Sequence, residues 1–291
     1  MATLAVAIFL SSESTLSKYI SGLAAIALLL LMTSCKPPPL EWYKPATHTI
    51  TCADYALHPV NSATLYNNVW NKRAARGFPS VQCLEKDPAT GDVGWSWRWP
   101  HKDDAIFAYP QIKIGASPWA PEPNARPEFP LKAAELKALM VSHELAISGN
   151  SEHNIATSMW LTNTGAIGKT PNPTAIIAEL MIWSYASANH MNPAGKHFDD
   201  FSAGGQQWEV WGQQQWRDPS GVNNNKWTNL TFRAKQPSYT ASFDALQFVR
   251  YGIDKKLLPA DAYIADVEVG TEIMRGAGLA WVRQFEVKVV R

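Results

Sequence analysis

The sequence predicts an all-β fold of the sandwich or barrel class, on three observations. Short alternating polar and apolar runs recur from about residue 48 to the C-terminus. Gly, Pro, Asn and Asp separate them, as turn residues separate strands. Only two stretches follow a helical period, and many short strands with few helices are what a sandwich or barrel requires.

Taken in order, the first run is His48–Cys52, an alternating Thr-Ile-Thr segment. Gly94–Trp99 sets Trp95, Trp97 and Trp99 at every second position, and Ala105–Ile114 continues the series. Asn154–Leu161, Ile176–Trp183, Gln207–Trp211 and Trp227–Ala234 follow. The last run, Leu279–Val290, alternates most regularly, with Leu279, Trp281, Arg283, Phe285, Val287 and Val289 expected on one face. One short helix is expected at 242–251, where Phe243, Leu246 and Val249 keep a helical period and Ser242 or Asp244 can cap its start. A second helix is a candidate at Pro130–Met140, with Leu131, Leu136, Leu139 and Met140 apolar. There is no internal repeat or composition break between 48 and 291, so that stretch is expected to be one domain.

The 291 residues carry 26 Lys and Arg against 25 Asp and Glu, a net charge of +1 with no block of like charge. Electrostatic capture of nucleic acid is therefore not expected. Hydrophobic residues make up 46% and charged ones 18%, the composition of a globular chain. The unusual count is 13 Trp, which leaves two readings open: an aromatic core, or rings that face a ligand.

Residues 20–32 form an apolar run of thirteen residues, short of the roughly 18 that span a bilayer. Preceded by Lys18 and followed by Thr33-Ser34-Cys35, the run has the proportions of a secretory signal. Met32-Thr33-Ser34-Cys35 resembles a bacterial lipobox, which makes Cys35 a lipidation candidate; the alternative is ordinary cleavage nearby with Cys35 an incidental thiol. Residues 1–35 are thus expected to be a signal peptide, and 36–47, with Pro37-Pro38-Pro39, a stiff spacer. The chain is expected to be exported, as an outer-membrane or cell-surface lipoprotein or else secreted. In an oxidising compartment Cys52 and Cys83 can close a disulfide loop, or remain two buried thiols.

Gly165–Thr170 lacks a Gly where a phosphate loop needs one, and Pro171 and Pro173 follow where its helix should run. His143-Glu144 has Ile147 where a zinc-protease helix needs its second His. No other His or Cys grouping has metal-ligand spacing, and no Gly-x-Ser-x-Gly elbow occurs. Neither a metal nor a cofactor is expected.

Two segments carry chemistry. In Ile177–Trp183, alternation puts Glu179, Met181 and Trp183 on one face and Leu180 and Ile182 on the other. In Val267–Gly278, Glu268, Gly270, Glu272, Met274 and Gly276 share a parity, and the glycines are expected to let a bulky ligand approach the backbone. Two carboxylates facing an aromatic groove suit glycosidic cleavage, where one attacks or stabilises the oxocarbenium-like centre and the other protonates the leaving oxygen.

These segments, Glu179-Leu-Met-Ile-Trp183 and Val269-Gly-Thr-Glu272 with Gly276-Ala-Gly278, resemble the two active-site segments of glycoside hydrolase family 12, the endoglucanases and xyloglucanases. Cys52 through Asn67-Asn68-Val-Trp70 to Cys83, the Trp95-x-Trp97-x-Trp99 run with Tyr109, and Gly204-Gly205-Gln206-x-Trp208 resemble further segments of that family, in order. The resemblance implies a jelly-roll sandwich of two antiparallel sheets holding a β-glucan. It implies Glu179 as nucleophile, Glu272 as acid/base, and Asn68, Trp70, Met181 and Trp183 as sugar contacts. Ser158 stands where relatives often carry Asp, so Glu179 is expected to ionise more readily than in them. Glu272 is expected to have a raised pKa, through burial and the charges of Glu179 and Glu268. The expected activity is retaining endo-hydrolysis of β-1,4-glucan by a monomer that touches membrane only through a lipid anchor. The alternative is a carbohydrate-binding surface lipoprotein without turnover.

Overall fold

The computed structural model describes residues 47–101, 105–119, 126–167, 172–217 and 224–291. The signal segment, Cys35 and the spacer up to residue 46 lie outside the described residues. Sixteen strands are described. The first six are β1 (His48–Thr51), β2 (Leu57–Val60), β3 (Ala63–Tyr66), β4 (Val81–Lys86), β5 (Val93–Trp99) and β6 (Gln111–Gly115). Then come β7 (Leu131–Lys132), β8 (Ala138–Thr162), β9 (Ile176–Ala186), β10 (Lys196–Ala203), β11 (Gln206–Arg217) and β12 (Lys226–Ala234). β13 (Thr240–Asp244) leads into the helix α1 (Ala245–Asp254), and β14 (Tyr263–Ile264), β15 (Asp266–Gly270) and β16 (Ile273–Val290) complete the chain. Among the described residues no helix is long and apolar enough to cross a membrane.

The strands form two packed layers of a jelly roll. The back layer runs β1-β4-β5-β16-β8, with β13 on the same strand β8. The front layer runs β2-β3-β6-β15-β8-β9-β12-β11-β10, and its single parallel step is β9 to β12. Strand β8 belongs to both layers: its first part pairs with β16 up to His153, and its second pairs with β9 and β15 from Asn154 onward. Asn154 therefore sits where β8 changes sheet. The inward face of the front layer, Ile112, Ile155, Met159, Leu161, Leu180, Ile182, Leu230, Phe232, Val267 and Val269, packs with Trp95, Trp97, Trp99, Trp208 and the apolar face of α1 into one core.

Much of the Trp excess is thus core, with Trp95, Trp97, Trp99 and Trp208 fully buried. The two cysteines are bridged across 31 residues. A loop of that length stabilises the fold by roughly 3–4 kcal/mol on the chain-entropy account. Asn67, inside that loop, is spent on structure: its amide donates to the Ala53 and Gln82 carbonyls and accepts from the Gln82 amide.

Four expectations need correction. Pro130–Met140 is not a helix but β7, one 3-10 turn (Ala133–Glu135) and the start of β8. The reason lies in its continuation: from Leu139 burial alternates as Leu139, Val141, His143 and Leu145 turn inward, a period of two. In β16 a bulge between Val282 and Gln284 reverses the parity, so Ala280 and Val282 face the core before it and Phe285, Val287 and Val289 after it. Residues 105–110 of the Ala105–Ile114 run form no strand beyond an isolated bridge from Ala108 to Ile273. The helix at 242–251 is displaced to α1, with Asp244 accepting from the Leu246 N–H as its cap. The Gly204-Gly205 pair makes the tight turn from β10 to β11, both residues at positive φ as a two-residue hairpin demands.

Candidate active site

On β9 alternation turns Ala178, Leu180 and Ile182 into the core and Glu179, Met181 and Trp183 onto the opposite, outward face of the front layer. Glu179 lies in register with Trp160 of β8 and Asn229 of β12. Its Oε2 accepts from the Asn229 amide at 3.1 Å and the Trp227 indole N–H at 3.4 Å. Trp227, Trp160 and Trp119 meet edge to face at centroid distances of 5.2–5.9 Å, an indole cluster beside this carboxylate.

Glu272 does not lie on a continuous strand with Glu268: the chain breaks between β15 and β16, and Glu272 sits on the turn. That turn is held from every side. The Trp95 indole donates to the Thr271 hydroxyl (2.9 Å), the Thr271 N–H to the Pro110 carbonyl (3.2 Å), and the Ile273 N–H to the Ala108 carbonyl (3.0 Å). Asn154 then binds Glu272 three times. Its side-chain oxygen accepts from the Glu272 N–H (2.8 Å), its own N–H donates to the Glu272 carbonyl (3.2 Å), and its amide donates to Glu272 Oε2 in a short hydrogen bond.

Burial pushes the Glu272 carboxyl up to about 7, against the opposing pull of the Asn154 hydrogen bond. The charges of Glu179 and Glu268, expected to contribute, are not among the causes; loss of water is sufficient. Tyr109 stands at the centre. Its hydroxyl donates to the Ala156 carbonyl at 2.9 Å, and burial, then Glu268, Glu272, Glu179 and Asp266, raise its pKa well above the ordinary value. All four carboxylates thus bear on one phenol.

Met181 and Trp183 cluster with Tyr109 and Ala156, and Trp70 packs against that group, so three of the sequence-predicted sugar contacts are brought together. Asn68 is nearby: its oxygen accepts from the Trp70 N–H (3.1 Å), its amide donates to Gln111 (3.4 Å), and its carbonyl accepts from the Tyr109 N–H (3.0 Å). Ser158 is buried on the outward face of β8, in register with Met181 on one side and Glu268 on the other. The strand that lacks an acid there is therefore flanked by one that carries it.

The glycines do not serve a ligand as expected. A Cβ at Gly270 would lie 2.4 Å from the Pro110 carbonyl oxygen and 2.9 Å from the Tyr109 ring, and one at Gly276 would lie 2.2 Å from the Asn150 carbonyl oxygen. Their absent side chains let the protein's own strands and rings close. Sequence reasoning missed Asn154, Asn229 and Trp227, and knew Tyr109 only through a motif. An Asn at a strand start reads as a turn residue, and neither its partner 118 positions away nor the Asn229–Glu179 pair leaves a local signal. Among the described residues no group of three or more His, Cys, Asp or Glu is placed to hold a metal.

Residues 61–289 match the profile of Glycosyl hydrolase family 12. Endoglucanase S of Pectobacterium parmentieri is 26% identical over 81% of this chain and 85% of its own length. A protein of Phytophthora nicotianae named Inactive glycoside hydrolase XLP1 is 23% identical over 78% of this chain and 85% of its own. Among solved structures, the native family 12 xyloglucanase from Bacillus licheniformis superposes with a TM-score of 0.71 at 26% identity, covering 82% of this chain and 99% of that one.

Proposed function

Since the chain belongs to glycosyl hydrolase family 12 and is a glycoside hydrolase, we propose that it is an endo-β-1,4-glucanase that cleaves xyloglucan, cellulose-type or mixed-linkage glucan with retention. The observation that carries the reading is that two carboxylates in unlike settings, Glu179 and Glu272, both bear on the buried Tyr109. Glu179 accepts two hydrogen bonds, which favours a carboxylate ready to attack the anomeric carbon. Glu272 is half-buried, and the water its carboxyl loses favours a carboxylic acid able to protonate the leaving oxygen and, once ionised, to activate the water that releases the product. Trp70, Met181 and Trp183, with Asn68, offer the apolar and polar faces a glucose ring presents.

Release of reducing ends from soluble β-glucans, with binding measured in parallel, is the first test. Tight binding without release would favour the non-catalytic surface protein instead, and the relative named as inactive makes that comparison worthwhile. NMR of the first-formed anomer is expected to show the β product; an initial α product would remove the nucleophile role from Glu179.

Residues 48–291 are the catalytic domain in this reading, behind a signal peptide at 1–35 and a spacer at 36–47. Lipidation of Cys35 would hold the enzyme at a membrane surface. The wild-type protein is then expected to partition into detergent and Cys35→Ala to be released. Soluble behaviour of both forms would rule the anchor out.

A further inference from the structure

The outward face of the front layer continues past β9. Arg233 of β12 lies in register with Trp183 of β9 on one side and Glu209 of β11 on the other, and Thr231 likewise stands between Met181 and Trp211. Neighbouring strands are about 4.8 Å apart, so Glu209 and Trp211 stand roughly 10 Å across the face from β9. Alternation sends Trp208, Val210, Leu230 and Phe232 of these strands into the core. Trp211 is half-buried and belongs neither to that core nor to the indole cluster at Glu179. Its orientation is fixed by three neighbours. The Trp211 N–H donates to Glu209 Oε2 at 3.3 Å, the Arg233 guanidinium lies 5.1 Å from the indole centroid, and the His197 ring lies at 5.6 Å. Arg233 reaches the same Glu209 Oε2 through Nε (2.7 Å) and Nη2 (2.6 Å). Its Nη1 donates to Asn192 at 2.9 Å, tying down the loop whose His190 meets the Trp183 indole edge to face at 5.1 Å. Oε2 thus takes all three donors, and among the described residues none donates to Oε1.

We propose that Trp211, Arg233 and Glu209 form an outer sugar subsite, which binds a neutral sugar residue of an extended glucan beyond the part held at Trp183. The inference rests on the β-glucanase reading and lengthens its groove across β12 and β11. A sugar ring offers an apolar C–H face and a rim of hydroxyls. The half-exposed indole suits the first, and Glu209 Oε1 beside the planar guanidinium suits the second, as acceptor and donor held side by side. The two opposite charges cancel on each other, so the site favours a neutral sugar over a uronic acid. Because the three side chains already hold one another, a sugar need not order them, and little of its contact energy is lost to entropy. An ion pair this exposed adds little to stability by itself, which leaves the clamped indole without a structural use.

The test is a chain-length series: an aryl β-cellobioside, too short to span from the catalytic pair to β11, then longer cello-oligosaccharides and soluble β-glucans. Trp211→Ala is expected to raise KM on the longest oligosaccharides and on glucan about tenfold with kcat little changed, while the aryl cellobioside is spared. Trp211→Phe keeps a ring and should recover most of the affinity, and Glu209→Gln, which keeps the shape but weakens the acceptor, should raise KM on the long substrates alone. Melting curves establish that the variants fold; the Phe and Gln variants carry the test if the Ala variant does not. Xyloglucan and an unbranched glucan run side by side identify the sugar: equal loss on both assigns it to the main chain, and loss on xyloglucan alone assigns it to a branch. Loss that is the same at every chain length, or no loss at any, would overturn the proposal. A wild type that cleaves no β-glucan brings down the reading beneath it, whereas an active wild type with unaffected variants refutes this inference alone.

Discussion

Glu272→Ala is expected to lose polysaccharide turnover by on the order of 10²–10⁴-fold while retaining attack on an aryl glucoside with a good leaving group. The asymmetry follows from what the proton does. A sugar alkoxide cannot leave without it, and an activated phenolate can. Glu179→Ala should instead lose both substrates by on the order of 10⁴-fold or more, because no covalent intermediate forms on either. The pH dependence of the wild type adds an independent reading. Glu272 must carry its proton, and burial raises its pKa from the ordinary 4.5 to about 7. The acid is therefore available below that value, and the rate on polysaccharide should fall as pH rises through about 7. Equal loss of both substrates in the two variants would refute the division of roles. So would a leaving-group-dependent loss in Glu268→Ala in place of Glu272→Ala.

Asn154→Ala is the second large effect. The Asn154 amide bonds the Glu272 carboxyl and favours its charged form, so it opposes burial. Removing it should raise the Glu272 pKa further and move the alkaline limb to higher pH. The variant also leaves the Glu272 N–H without its acceptor and frees the side chain to turn away. Polysaccharide kcat should fall tenfold or more for that reason, since small displacements of a catalytic group are costly in rate. A full pH–rate profile separates the two consequences. An alkaline limb that stayed in place or moved down would show that the amide does not govern this carboxyl.

Several features were legible along the chain because their causes are local. Alternation in Ile177–Trp183 is a property of the extended backbone, and it placed Glu179, Met181 and Trp183 together on the outward face with Leu180 and Ile182 in the core. The helix near 242–251 could be read from its period and from Asp244, whose cap reaches only two residues ahead. The ordered motifs from Cys52 to the C-terminus carried the family itself.

What tertiary structure decided depends on register between distant segments, which no local pattern encodes. A bulge at 282–284 reversed the faces of β16, and a break in the strand at Thr271–Glu272 lifted Glu272 off it. Gly270 and Gly276, expected to admit a ligand, instead admit the Tyr109 ring and the β8 backbone at Asn150. Glu272 owes its raised pKa to the water it loses when β8, β15 and β16 converge around it, and Glu179 owes its two hydrogen bonds to residues 48 and 50 positions away. Sequence by itself determined which side chains could do the chemistry. Desolvation and long-range hydrogen bonding, which exist only once the sheets have assembled, gave two similar carboxylates different settings, Glu272 with its pKa raised by burial and Glu179 with hydrogen bonds from Asn229 and Trp227.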